Sequence, residues 1–281
     1  MGIWYQLLSF LPFEWAQPGT MLFMKNALLG ILVLCPLLGL LSCHVVTGKM
    51  SFFSDALGHS AFTGIAIGSL CGMAFPLGMA VALSVVFALL FTYVRRKSNL
   101  SGDTVIGVFS STAVALGILI ATWGGGSFTK FNNYLIGDIL SVRPAEIGIL
   151  AIVLILVVVV WCLCSNGLFL SVLHPNLAHS RGVKVGAVQA LFTVVIAVVV
   201  TMALSWVGLL VINSLLVLPG AAARNFAKNL RQYHLFSVLG ALVCGSLGLM
   251  ASYYWGCSTG AAVSLLLAVY FFAGFILRRG K

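Results

Sequence analysis

Asp55 and His59 stand four residues apart in Met50-Ser51-Phe52-Phe53-Ser54-Asp55-Ala56-Leu57-Gly58-His59. In a helix that step places both side chains on one face, about one turn apart. A carboxylate and an imidazole so placed can grip one divalent metal ion. They can equally hydrogen-bond each other or a neighbouring helix, and two ligands do not complete a metal site. The flanking sequence is apolar enough to lie in lipid, where ionisable groups are costly and usually mark a pathway or a site. Of the five acidic residues, Asp55 alone is expected inside a span. A proton-coupled transporter carries a richer chain of intramembrane carboxylates.

The chain that must position this pair has 281 residues, 61% hydrophobic and 7% charged. A soluble domain is roughly one quarter charged. The mean hydropathy of +1.14 belongs to a polytopic membrane protein. The net charge of +10 does not point to nucleic acid, because the basic residues are scattered through short loops between apolar runs. The seven Cys show no CxxC or zinc-knuckle spacing and read as small buried hydrophobes. No GxxxxGK[ST] loop, HExxH or GxSxG is present. The chain therefore lacks the usual ATP cradle and the familiar intramembrane hydrolase signatures.

Nine apolar runs are long enough, or nearly so, to cross a core of about 30 Å: 26–44, 54–74, 76–94, 104–122, 147–164, 186–203, 205–219, 235–254 and 259–277. The run 205–219 is short, so a broken element and eight spans are an alternative. Residues 1–22 carry no cleavable signal pattern, and Trp4 to Trp15 read as an interfacial segment. Residues 124–145 read as a loop with a short helix, opened by Gly124-Gly125-Gly126. If nine spans alternate and end inside, one side holds Lys49, the Arg95–Lys97 cluster, Arg181, Lys184, Arg224, Lys228, Arg231, Arg278, Arg279 and Lys281. The other side holds only Lys25, Lys130 and Arg143. The positive-inside rule then sets a cytoplasmic C-terminus. No internal period repeats, and 1–281 reads as a single transmembrane domain.

Gly64, Gly68 and Gly72 follow His59, spaced four residues apart from one another. Such a stripe lets another helix approach closely, which suits ordinary packing around a central helix. Asp103 is expected to cap the fourth run, and Arg143-Pro144-Ala145-Glu146 opens the fifth with Pro in the first turn. Asp138 receives no role from its spacing. After Trp206 an apolar run stops at Pro219; a small-residue turn and a short cationic amphipathic helix are expected next. That segment, 219–231, can press on a partner protein or lie on anionic lipid. His44, His174, His179 and His234 stand near loop ends, where a solvated or capping role is usual.

These segments together resemble the integral membrane permeases of ABC-type zinc, manganese and iron importers. The resemblance rests on Met50-Ser51 through Asp55-Ala56 and His59, and on Asp103-Thr104 with Ile106-Gly107 and Phe109-Ser110-Ser111. It also rests on Leu135-Ile136-Gly137-Asp138-Ile139-Leu140, Leu218-Pro219-Gly220-Ala221-Ala222-Ala223-Arg224, and Thr259-Gly260-Ala261. Order and spacing hold over residues 25–275. The chain departs from the pattern at Val172-Leu173-His174-Pro175 and at Trp255-Gly256-Cys257-Ser258.

The resemblance implies an all-α polytopic permease of eight or nine helices in the plasma membrane of a prokaryote. It implies no enzyme activity and no permanent cofactor, the metal ion being the cargo. The partners implied are a cytoplasmic ABC ATPase, an extracytoplasmic metal-binding protein, a second permease copy and membrane lipid. Asp55 and His59 then match the metal path, and Pro219, Gly220, Ala221, Arg224 and Lys228 match the ATPase-coupling region. Two copies meeting at the second span would offer two nitrogen and two oxygen donors, which suits zinc, or manganese and iron with added water. The alternatives are an ABC permease for a metal chelate or cobalamin, and an intramembrane enzyme using Asp55 and His59 as acid and base.

Overall fold

Apolar segments in lipid must satisfy their own backbone groups, and helices do so within one segment. In a computed structural model, residues 21–73, 75–98, 100–123 and 139–279 are described, and they form long helices joined by tight turns. In chain order these are α1 (Leu22–Thr47), α2 (Phe53–Leu70), α3 (Pro76–Lys97) and α4 (Gly102–Trp123). A 3-10 turn at Ile139–Ser141 precedes α5 (Pro144–Leu173), and the short α6 (Pro175–Ser180) follows. Then come α7 (Val185–Val207), α8 (Leu209–Phe226), α9 (Leu230–Trp255) and α10 (Thr259–Arg279). The expected interfacial segment at 1–22, the Gly124-Gly125-Gly126 opening and Asp138 lie at least mostly outside the described residues.

Eight of these helices are long and apolar enough to cross a membrane by themselves. The long helix missing from that set is α2, where Asp55, His59 and several Ser and Gly lower the hydropathy. Burial compensates. Most of α2 is enclosed, packed between α3 and α4 and touching α7 and α8. Polar contacts help. The Ser60 and Ser84 hydroxyls are 3.1 Å apart, and the Thr63 hydroxyl donates to the Ala113 carbonyl at 2.8 Å. On its other flank α8 packs on α1, α9 and α10.

The helix ends follow local chemistry, with some departures from expectation. Glu146 accepts from the Arg143 N–H at 2.9 Å and closes the start of α5. The cap of α4 is Ser101, whose hydroxyl accepts from the Thr104 N–H at 3.2 Å. Asp103 instead lies in the first turn, where a carboxylate favours the helix dipole. The short run near 205–219 resolves into a break: Gly208, at φ 81 and ψ 160, separates α7 from α8. Only glycine adopts that backbone region without strain.

The turn expected after Pro219 is absent. α8 runs through Pro219 to Phe226, so 219–226 is helix and Lys228 lies in the connection to α9. Proline removes a helix N–H and would normally break the element. Here the Ser42 hydroxyl of α1 sits at the interruption, accepting from the Gly220 N–H at 2.8 Å and bonding the Val217 carbonyl at 3.5 Å. Other polar expectations also shift. His44 is not at a solvated end but 2% exposed inside α1, edge-on to Trp161, Phe169 and Phe192. Cys35, Cys43 and Cys244 are buried, while Cys71, Cys162 and Cys257 are exposed.

Candidate metal site on the second helix

The sequence places Asp55 in the first turn of α2, where the helix dipole favours a carboxylate. One turn on, His59 Nε2 lies 3.5 Å from Asp55 Oδ2. The pair is open on one side: His59 is 27% exposed and Asp55 39%. The other carboxylate oxygen, Oδ1, accepts from Asn213 Nδ2 of α8 at 3.1 Å. The Asn213 Oδ1 atom is buried with no hydrogen-bond partner. A third polar group therefore meets the pair, holding one carboxylate oxygen while the second turns to the imidazole.

Sequence reasoning passed over Asn213. Its signal was present: an amide within Val211-Ile212-Asn213-Ser214, inside a run otherwise apolar. Nothing local connects it to Asp55. The connection is tertiary, made where α8 crosses α2 so closely that a Cβ on Gly58 would strike Leu209. Asn213 precedes Arg224 on one helix by about 16 Å at ~1.5 Å per residue. Among the described residues no group of three or more His, Cys, Asp and Glu comes together. One chain thus offers one carboxylate and one imidazole, exposed together.

The other singled-out residues fall around this pair. A Cβ on Gly64 would lie 2.5 Å from Ala80 Cα, and one on Gly68 3.1 Å from Pro76 Cα, so α3 lies directly against the glycine face of α2. Gly72 is past the end of α2 with φ +67 and nothing within 4 Å, so it serves the turn and is not part of the contact. Pro219 and Gly220 are buried against α1, and Ala221 is half-buried. Arg224 and Lys228 are exposed and line a groove of about 230 Å³ with Thr47, Phe169 and Tyr233.

A bundle of spanning helices around one polar helix is the architecture of a polytopic membrane permease. The chain belongs to the ABC 3 transport family, whose model matches residues 20–278. It is 31% identical over 256 residues to the manganese import system permease protein ScaB of Streptococcus parasanguinis, covering 91% of this chain and 90% of that one. It is 26% identical over 245 residues to the high-affinity zinc uptake system membrane protein ZnuB of Haemophilus influenzae, covering 87% and 94%. The solved structure of PsaBC from Streptococcus pneumoniae in complex with Fab superposes with a TM-score of 0.77 at 25% identity, covering 98% of this chain and 95% of that one. The all-α polytopic fold and the resemblance read from the motifs are both borne out. The chain is a transport subunit and not an enzyme.

Proposed function

We propose that this chain is the membrane permease of an ATP-driven importer that moves a divalent transition-metal ion, manganese, zinc or iron, into the cytoplasm. The observation that carries the reading is the Asp55–His59 pair, 3.5 Å apart and partly exposed on a helix packed among apolar spanning helices. Open ionisable groups among membrane-spanning helices are costly in lipid. A second copy of the chain would cover the pair and supply its own carboxylate and imidazole, giving two oxygen and two nitrogen donors. Both ligand types hold metal only when deprotonated, so uptake weakens at acid pH. An importer needs this site to be transient. Leaving each copy with two ligands fits that need.

ATP-driven uptake of manganese, zinc and ferrous iron into proteoliposomes holding the chain with its ATPase and metal-binding protein tests the reading; uptake of none of the three overturns it. Asn213 acts as a positioning residue for Asp55. In the same assay Asn213→Ala is expected to lower apparent metal affinity by about 10–100-fold, the usual effect of removing a group that orients a metal ligand. Asn213→Asp should restore part of the affinity by adding a carboxylate. Wild-type affinity in Asn213→Ala would remove that role.

Arg224 and Lys228 form the contact to a cytoplasmic ATPase, with the extracytoplasmic binding protein delivering metal at the opposite end. The support is their exposure on one groove at the α8–α9 connection, together with the cytoplasmic side set by the distribution of basic residues. Charge reversal at both is expected to lower co-purification of the ATPase, or to uncouple hydrolysis from uptake, with metal affinity unchanged. Full complex yield and full coupling in the double variant would instead leave this edge to anionic lipid.

A further inference from the structure

A second polar feature lies where the end of α1 meets the ends of α3 and α5 and the start of α7. A cavity of about 380 Å³ opens there, lined by His44, Lys49, Arg95, Arg96, Gln189 and Thr193 among others. That volume is within the range of small-ligand sites, ~300–1,000 Å³. Arg95 is half-buried and donates from Nη2 to the Gly48 carbonyl at 3.0 Å, which fixes it on the wall. Lys49 is held at φ 51, a left-handed conformation unusual for a residue with a side chain. That conformation belongs to the cap that ends α1, where the Lys49 N–H bonds the Val46 carbonyl at 3.2 Å and the Met50 N–H bonds the Val45 carbonyl at 3.0 Å, and the cap leaves Lys49 lining the cavity. Arg96 lies across Gly186 in the first turn of α7, so close that a Cβ there would strike the guanidinium. The positive end of that helix adds to the charge of Arg96 rather than offsetting it.

Little opposes this charge. Among the described residues none of Lys49, Arg95 and Arg96 is in an ion pair, and Asp103 is the acid whose field reaches Arg95. His44, on the inner wall, is 2% exposed and its Nδ1 has no hydrogen-bond partner. The positive-inside bias explains basic loops. It does not explain a tethered guanidinium and two further basic side chains lining one void. The cavity repels a metal cation, so it is separate in chemistry from the Asp55–His59 pair.

We propose that this cavity binds a phosphate group, carried by the headgroup of an anionic phospholipid or free as inorganic phosphate. Guanidinium groups match phosphate oxygens in geometry and charge. Basic pockets between membrane helices recognise anionic headgroups in the same way. The helices that wall the cavity also keep Leu90, Tyr93 and Leu163 exposed on their outer faces, where acyl chains can lie.

The test uses the full chain in nanodiscs of phosphatidylglycerol or of phosphatidylcholine, with bound lipid counted by native mass spectrometry, and a separate titration with inorganic phosphate. Lys49→Gly is expected to weaken binding about fivefold, and Lys49→Gly with Arg96→Gln about 25-fold. Lys49→Gly also relieves the left-handed backbone, so its thermal stability should equal or exceed wild type. Weaker binding in a variant of undiminished stability separates lost recognition from lost folding. Retention of phosphatidylglycerol over phosphatidylcholine that falls in this order identifies a lipid. Inorganic phosphate binding that falls in the same order, without a lipid preference, identifies the free anion. Either result supports the site. Absence of both forms of binding, or binding unchanged in the double variant, overturns it.

Discussion

Asp55→Ala or His59→Ala reduces ATP-driven metal uptake by at least ~100-fold, the loss expected when one of few metal-holding groups is removed. Each substitution leaves the other residue unable to hold an ion by itself, because no third carboxylate, imidazole or thiol joins them among the described residues. Folding should survive. Both side chains are partly exposed, and among the described residues their polar contacts are the 3.5 Å pair contact and the 3.1 Å bond from Asn213. Expression and ATPase association therefore stay near wild type. Asp55→Asn is the sharper variant, since it keeps the shape and an oxygen but removes the charge. Radiolabelled manganese or zinc uptake under metal limitation is the measurement; normal uptake in both alanine variants would sink the ligand assignment.

Gly64→Leu stops transport through packing and not through ligand loss. The Cβ that any larger residue brings would lie 2.5 Å from Ala80 Cα and 3.0 Å from Ala80 N. Those are backbone atoms of a neighbouring helix, so no rotamer change makes room. Overpacking a filled contact costs about 1–3 kcal/mol. Here the displaced body is the whole of α3, and α2 carries the Asp55–His59 pair on the same rigid rod. Expected are near-complete loss of uptake and a lower midpoint of thermal unfolding in detergent. Gly78→Leu is the control, because nothing lies within 4 Å of its Cβ position. Equal uptake by wild type and Gly64→Leu would falsify the claim that this contact supports the site.

Period and composition made most of this fold legible. Long apolar runs became helices near their expected places, and Pro144 and Glu146 set the start of α5 as read. The local misreadings share one cause. Pro219 reads as a stop because a lone helix does not tolerate it, yet Ser42, distant in sequence, bonds across the gap. His44 reads as solvated because it stands near the end of an apolar run, yet three rings from α5 and α7 enclose it. Gly72 extended a four-residue step that the helix itself did not continue. Asp55 and His59 were legible because their partnership lies within one turn. Asn213 was not, because its partner is on another helix.

The break at Gly208 has a mechanical consequence. A rod pivoting on one residue displaces each point in proportion to its distance from the pivot. At ~1.5 Å per residue, Arg224 is about 24 Å from Gly208 and Asn213 about 7.5 Å. A swing of α8 thus moves its Arg224 end about three times as far as the amide beside Asp55. Conversely, a push at that end reaches the carboxylate as a shorter stroke of about threefold greater force. Because Ser42 clamps α1 to α8 at Gly220, the two helices would travel as one arm. Geared in this way, a broad motion at the Arg224 end of α8 becomes a fine adjustment of a single oxygen beside His59.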